Sequence, residues 1–320
     1  LALRRTFHYI YDQGYMNELC NLATELYITE RPAEGESVWP LISPNCPVVN
    51  RIIAQRYPSL LKHLLPIITP RELAARHLKE RLYAERLFNE PIGVYDITSC
   101  AAEMISIREP VILSESYLDG ALGIRELFKV IHKNLRETDE NRVLHQSGGI
   151  GMGWGMSGGE IAGMNVGKCL AVSGIQETIR YLEKIELGLF SEIKYVELRA
   201  CPEGCIGGPM AVKDRYQAKN DLQRLVRMFG VEKRINNADV QKAYREGWFF
   251  IDRKTFLARS ESKRLSISEA IKRQEQVEKI LGLLPGKECG ICGSPDCRTF
   301  AEDVVDRRDS LENCPFLDFK

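Results

Sequence analysis

Four cysteines stand at 289, 292, 297 and 314, a C-x2-C-x4-C-x16-C array inside CGICGSPDCRTFAEDVVDRRDSLENC. Three thiolates on one tight loop can hold three corners of an iron-sulfur cubane, and the fourth can arrive from the far end of a helix. Gly290 and Gly293 leave room for backbone N–H groups to approach the sulfurs. Structural zinc also uses four cysteines, but usually as two matched C-x2-4-C knuckles, and the second matched pair is absent. Spacing therefore favours iron-sulfur and leaves zinc as the alternative. Cys46, Cys100, Cys201 and Cys205 are scattered more widely, and their spacing says only that Cys201 and Cys205 can share a metal. Cys20 and Cys169 sit in no ligand-like motif and read as small buried apolar residues.

Ten cysteines are many for a chain that opens LALRRTFHYIYDQGY, without the charged-then-apolar order of a signal peptide. No run of eighteen apolar residues exists, so the expectation is a cytoplasmic protein without membrane insertion. Disulfides are rare in that compartment, which makes metal binding the default use of the thiols. Lys plus Arg and Asp plus Glu both number 44, and a chain with no basic excess is a poor candidate for nucleic acid. With 44% hydrophobic and 28% charged residues the composition is that of an ordinary globular protein.

The elements that must position these thiols alternate short apolar runs with helical stretches up to about Val212, which predicts α/β architecture. Strands are expected over Ser37–Ile42, Ile92–Ile97, Cys169–Val172 and Lys194–Leu198, and helices over Val49–Leu64, Arg71–Leu87, Gly123–Leu135 and Ile175–Leu187. Tyr216 to Arg264 reads as amphipathic helix without chemistry of its own. A last helix opens at Ser266 in a capping-box arrangement with Glu269 and runs to Pro285. The expected division is an α/β domain over 1–215, a helical extension over 216–265, and a linker helix with a four-cysteine module over 266–320. Gly153, Gly155 and Gly158 match G-x-G-x-x-G, but the preceding QSGGIGM is loop-like rather than a strand, so a glycine loop packed near a metal site is the preferred reading over a nucleotide fingerprint.

The surroundings of the scattered cysteines say more than their spacing. SPNCP at Ser43–Pro47, followed by RYPSLLKHLLPIITP, resembles the first cluster-binding segment of the iron-only hydrogenases. VYDITSC, ending in Cys100, resembles the second segment; ELRACPEGCIGG at Glu197–Gly208 resembles the third, and GMSGGE before CLAVSGI is similar to that family as well. The resemblance covers about residues 1–215. It implies a two-lobed fold of small parallel sheets flanked by helices, in which Cys46, Cys100, Cys201 and Cys205 hold a [4Fe-4S] cluster. In the family the position matching Cys205 also bridges to a di-iron subcluster carrying CO and cyanide. The tail from Cys289 resembles the small [4Fe-4S] domain of corrinoid iron-sulfur proteins and of ferredoxin-like redox subunits, including the FAEDVV run, and implies a second [4Fe-4S] cluster on Cys289, Cys292, Cys297 and Cys314.

Departures from the family fall on the di-iron half. Asn45 stands where a proton-relaying cysteine is usual, and an amide cannot ionise. Glu103 replaces a lysine that contacts the anionic di-iron ligands, Thr98 and Arg199 stand at pocket methionines, and Ser99 replaces a proline. The upstream strand and loop that cradle one cyanide have no counterpart in this sequence. Because Glu103 and Arg199 match positions that face the di-iron subcluster from different loops, they are expected within salt-bridge reach of each other beside Cys205. The leading expectation is an electron-transfer or redox-sensing protein with two [4Fe-4S] clusters and no di-iron site, working with a ferredoxin-like or other redox subunit, and able to sit in a larger complex. The alternative is a hydrogen-reactive enzyme of the ferredoxin-hydrogenase type, or a hydrogen sensor, with the whole cluster retained. A third reading makes the clusters structural staples.

Overall fold

The computed structural model describes residues 3, 6–30, 38–85, 91–135, 147–232, 234–252, 267–287, 289, 291–292, 294 and 296–317. The chain divides into two compact units, Leu1–Ser260 and Glu261–Lys320. The described part of the expected helical extension therefore belongs to the first unit.

Among the described residues, five short strands build the first unit: β1 (Leu41–Ile42), β2 (Tyr95–Thr98), β3 (Gly120–Gly123), β4 (Cys169–Ser173) and β5 (Tyr195–Arg199). They form two parallel sheets, one ordered β1-β5-β4 and one pairing β2 with β3. Tyr195 stands opposite both Leu41 and Cys169, and Thr98 opposite Gly123. Every residue of β5 is buried, as befits the central strand of a parallel sheet covered on both faces. That strand nevertheless carries Glu197 and Arg199, whose burial demands charged partners.

The helices described in this unit are α1 (Gly14–Glu30), α2 (Pro47–Arg56), α3 (Pro70–Ala84), α4 (Ala101–Arg108), α5 (Ile124–Leu135), α6 (Gly149–Gly153), α7 (Gly159–Ala162), α8 (Ile175–Glu186), α9 (Arg215–Phe229) and α10 (Asn237–Arg245). The single helix expected over 49–64 is broken. It starts two residues earlier with Pro47 in the first turn, stops at Arg56, and gives way to a 3-10 segment over Pro58–His63, because Pro58 has no N–H to continue the ladder. Of the strand expected over 37–42 only Leu41–Ile42 forms, with Ser37 outside the described residues; the strand expected at Ile92 begins at Tyr95.

One core joins Met16, Leu19 and Ala23 of α1 to Ile67, Ile68 and Leu73, and to Val240, Tyr244 and Phe249 from the extension. A second, on the β5 side, holds Ile42, Val49, Ile53, Leu182, Val196 and Leu198. Fully burying such side chains contributes about 1.5–3 kcal/mol each before the entropy of ordering them is counted. The extension is also held through its backbone. Gly149 N donates to Gly230 O at 2.8 Å, and a Cβ on Gly149 would collide with the carbonyls of Gly230 and Val226.

In the second unit α11 (Ile267–Leu283) packs on α12 (Cys297–Val305) around Val277, Leu284, Phe300, Ala301 and Cys314. Asp296 caps α12 by accepting from Thr299 N at 2.7 Å, and Arg273 grips Asp306 with two bonds of 2.9 and 3.0 Å. Ser266 of the expected capping box lies outside the described residues. Among the described residues no helix is long and apolar enough to cross a membrane.

Candidate metal centre

Cys46, Cys100 and Cys201 follow the carboxyl ends of strands, the usual place for sites in parallel α/β folds. Cys46 follows β1 as the N-cap of α2, and Cys100 follows β2 as the N-cap of α4. Cys201 follows β5, and Cys205 opens a 3-10 turn over Cys205–Gly207. The four thiols converge. Cys46 and Cys205 both act electrostatically on Cys100 and on Cys201, and Cys46 acts on Cys205. Burial, reinforced by Glu103, pushes the Cys100 thiol up to about 12, and burial likewise raises Cys201 and Cys205. Buried thiols in this state keep their protons until a cation replaces them, and two helix N-termini favour the anionic form that results.

The loop carrying Cys205 closes on its neighbours by backbone contact. Cys205 N donates to Gly155 O at 2.8 Å, Ser157 N donates to Glu203 O at 3.0 Å, and Ser99 Oγ donates to Cys205 O at 2.7 Å. Gly204 sits at φ +89°, and a Cβ there would lie 2.5 Å from Gly155 O, so only glycine fits. The 153–158 glycines thus form the loop packed against a cysteine segment; among the described residues they begin at the end of α6, a helix, rather than after the strand a nucleotide fingerprint requires.

Helix α1, which carries no amphipathic stripe in the sequence, braces that loop with polar side chains. Asn17 Nδ2 donates to Gly151 O at 2.9 Å, Trp154 Nε1 donates to Asn21 Oδ1 at 3.0 Å, and Glu18 accepts from Gly148 N at 2.5 Å and, through its other oxygen, from Arg234 N at 3.1 Å. Glu18 is 1% exposed, so these bonds are what make its burial tolerable.

Arg199 and Glu103 do not pair with each other. Arg199, 2% exposed, is caged by two carboxylates: Nη2 lies 2.6 Å from Glu160 and Nε 3.3 Å from Glu197. Its guanidinium lies over the Trp154 ring at 4.6 Å and, through Nη1, donates to Cys205 Sγ at 3.0 Å. Burial opposes its charge, but Cys205, Glu160 and Glu197 hold its pKa well above the ordinary value. Glu160 in turn accepts from Ser43 Oγ at 2.8 Å and Tyr195 OH at 2.7 Å, while Glu197 accepts from the backbone N–H groups of Gly158 and Glu160 at 3.1 Å. Burial, with Glu160 beside it, pushes Glu197 up. Glu160 had no sequence signal beyond its place in GMSGGE, yet it ties the first cysteine segment, the glycine loop and β5 together.

Glu103 instead takes Arg71, with Oε1 2.8 Å from Nε, and accepts from Thr98 Oγ1 at 2.9 Å. Thr98 Oγ1 accepts from Cys100 N at 3.0 Å, and Arg71 Nη1 donates to Asn45 O at 3.1 Å, so one buried ion pair spans the first and second cysteine segments. Burial, together with neighbouring Glu103, pushes the Asp96 carboxyl up to about 7. Asn45 Nδ2 donates to Ser43 Oγ at 3.1 Å.

In the second unit Cys292 and Cys297 pack against the core that contains buried Cys314, while Cys289 is exposed. Cys297 begins α12 and Cys314 follows a 3-10 turn over Leu311–Asn313. Gly290 and Gly293 lie outside the described residues. No three His, Cys, Asp or Glu side chains among the described residues stand close enough to share a single metal ion. Thiolates at cubane corners stand further apart than four around one zinc, where each Zn–S bond is about 2.3 Å. The donor set and its convergence in the first unit fit an iron-sulfur cubane, with Cys46, Cys100, Cys201 and Cys205 as the residues to hold it.

The family described as iron only hydrogenase large subunit, C-terminal domain, matches residues 2–164 and 158–209. The chain belongs to this family. A second family, described by its Fe-S cluster, matches residues 284–316. Among solved structures, this iron-only hydrogenase family member is similar to the [FeFe]-hydrogenase HydA(deltaEFG), with 16% identity and a TM-score of 0.58 over 76% of this chain and 81% of that one. Two structures of [FeFe]-hydrogenase HydA1 from Chlamydomonas reinhardtii cover the same shares. One variant has 16% identity and a TM-score of 0.59, and an apo variant has 15% and 0.58. At these identities the likeness is one of fold. No curated protein matches the chain.

Proposed function

We propose that this member of the iron-only hydrogenase family carries two [4Fe-4S] clusters and no di-iron subcluster, and serves one-electron transfer or redox sensing rather than hydrogen chemistry. The first cluster is assigned to Cys46, Cys100, Cys201 and Cys205, and the second to Cys289, Cys292, Cys297 and Cys314. Bound cubanes supply one-electron chemistry. The chain's own residues hold them, exclude water and set the charge around them. The observation that carries the reading is the Arg199 guanidinium against Cys205 Sγ at 3.0 Å. It engages the sulfur that the family uses for bridging, from a position where the family has a pocket methionine. Glu103, in place of the lysine that attracts anionic ligands, is already committed to Arg71. A ferredoxin-like or other redox subunit in the cytoplasm is the partner that this reading proposes.

Infrared spectroscopy of anaerobically purified protein tests the reading, because CO and cyanide ligands absorb where protein does not. The expected spectrum has no such bands, with iron and sulfide in the ratio of two cubanes. CO and cyanide bands lost in Cys205→Ala would overturn it in favour of a hydrogen-reactive enzyme or sensor.

A further inference from the structure

A buried arginine that touches a thiol is uncommon, because its charge must be desolvated and then balanced. Here the balance comes from two carboxylates on separate elements, Glu160 on α7 and Glu197 on β5. Four constraints fix the guanidinium: the two ion pairs, the Trp154 ring beneath it, and a bond from Nη2 to Trp154 O at 3.3 Å. The two N–H groups of Nη1 are left, and this nitrogen donates to Cys205 Sγ. The cage does not merely neutralise a stray charge. It aims a donor at one sulfur among the four converging cysteines, since among the described residues Cys205 is the cysteine that this side chain hydrogen-bonds.

Resting on the cubane assignment made above, we infer that Arg199 is a tuning residue of the first cluster: its N–H bond to Cys205 stabilises the reduced, more negative state and raises that cluster's reduction potential. Hydrogen bonds to ligand sulfurs and local net charge are the protein's means of setting such potentials. Glu160 and Glu197 act through Arg199 as positioning residues, and their own negative charge pulls the potential the other way.

The two contributions separate by charge arithmetic. Arg199→Met removes the donor and one positive charge, and it leaves two buried carboxylates facing an anionic cluster. The double variant Arg199→Met/Glu160→Gln removes one charge of each sign, so the net charge of the cage is unchanged and only the donor is gone. Glu160→Gln alone keeps the donor and removes one negative charge.

The test is an EPR-monitored redox titration of the anaerobic full-length protein and these variants. The C-terminal cluster serves as an internal reference that none of the substitutions should move. The expected result for the double variant is a first-cluster reduction equilibrium at least tenfold less favourable than in the unsubstituted protein. For a one-electron couple that is a shift of about 59 mV to lower potential. Glu160→Gln alone should move the potential upwards. Arg199→Lys, which keeps the charge but not the planar fork, should fall between wild type and the double variant. A double variant that binds its cubane and titrates at the wild-type potential overturns the inference. Absence of any first-cluster signal in the unsubstituted protein, with the C-terminal signal intact, instead overturns the cubane assignment beneath it.

Discussion

Glu160→Gln tests the energetic role of the buried cage most directly. Glu160 is 1% exposed and accepts from Arg199 at 2.6 Å, Ser43 at 2.8 Å and Tyr195 at 2.7 Å. The amide can keep an oxygen on Arg199, and the two hydroxyls can turn to accept from its NH2. What disappears is the charge. A charge-assisted bond contributes about 1.5–3 kcal/mol where a neutral one contributes about 0.5–1.5, so a loss of about 2 kcal/mol is expected. Glu160→Ala also strips Arg199 of one counter-ion and both hydroxyls of their acceptor, and should cost about 4–5 kcal/mol. Against a typical total of about 5–15 kcal/mol, that variant is close to unfolding. The assay is anaerobic urea denaturation followed by tryptophan fluorescence, since Trp39, Trp154 and Trp248 all lie in the first unit and report on it alone. A Gln variant within about 0.5 kcal/mol of wild type, or an Ala variant no worse than Gln, would refute the view that Glu160 holds the site together.

Four further outcomes follow from the same geometry. A double-mutant cycle on Glu103→Gln and Arg71→Met should show coupling above about 1 kcal/mol, whereas Glu103→Gln with Arg199→Met should couple by less than about 0.5; reversal would restore the pairing first expected from sequence. Gly204→Ala, forced into φ +89° and against Gly155 O, should lower iron content at the first centre and leave the second unit's iron intact, as elemental analysis would reveal. Asp96 has its pKa raised to about 7, so the folded state binds its proton more tightly than the unfolded chain. Stability from this group is full below about pH 4 and is lost as pH rises to about 7; urea midpoints should decline between pH 5.5 and 8 in wild type and flatten in Asp96→Asn. Cys314→Ala should abolish the C-terminal cluster and loosen α11 and α12, leaving the tryptophan-monitored transition unchanged; a matching loss in that transition would contradict the division into units.

Cysteines were the legible part of this molecule. A thiol at a strand end next to glycine or proline has few other uses; SPNCP and ELRACPEGCIGG carry that local grammar, and VYDITSC carries its strand end alone. Strand β5 was legible for the same reason, since KYVEL is apolar enough to declare itself. Strand β3, GALG, was not: two glycines in four residues suppress β-propensity, and only its pairing with β2 defines it. Helix α1 buries Asn17, Glu18 and Asn21, so its polar residues imitate a solvent face until their backbone partners are seen. Glu103 and Arg199 stand out in the sequence as departures from the family, but facing one pocket does not decide who pairs with whom. Arg71 and Glu160 reached them first, from elements whose orientation no local pattern reveals.

The family match ends at residue 209, yet the first unit runs on to Ser260. The glycine loop that touches Cys205 is clamped from behind by residues beyond that border: Gly230 O receives Gly149 N, and Glu18 ties Gly148 to Arg234. The family match and the mechanics therefore draw the boundary in different places. The matched portion is not a portable cassette. A graft or truncation cut at the edge of family likeness would keep every cysteine of the first centre and discard the buttress behind one of them, so any recombinant lineage that exchanges this centre has to carry α9 and α10 along with it.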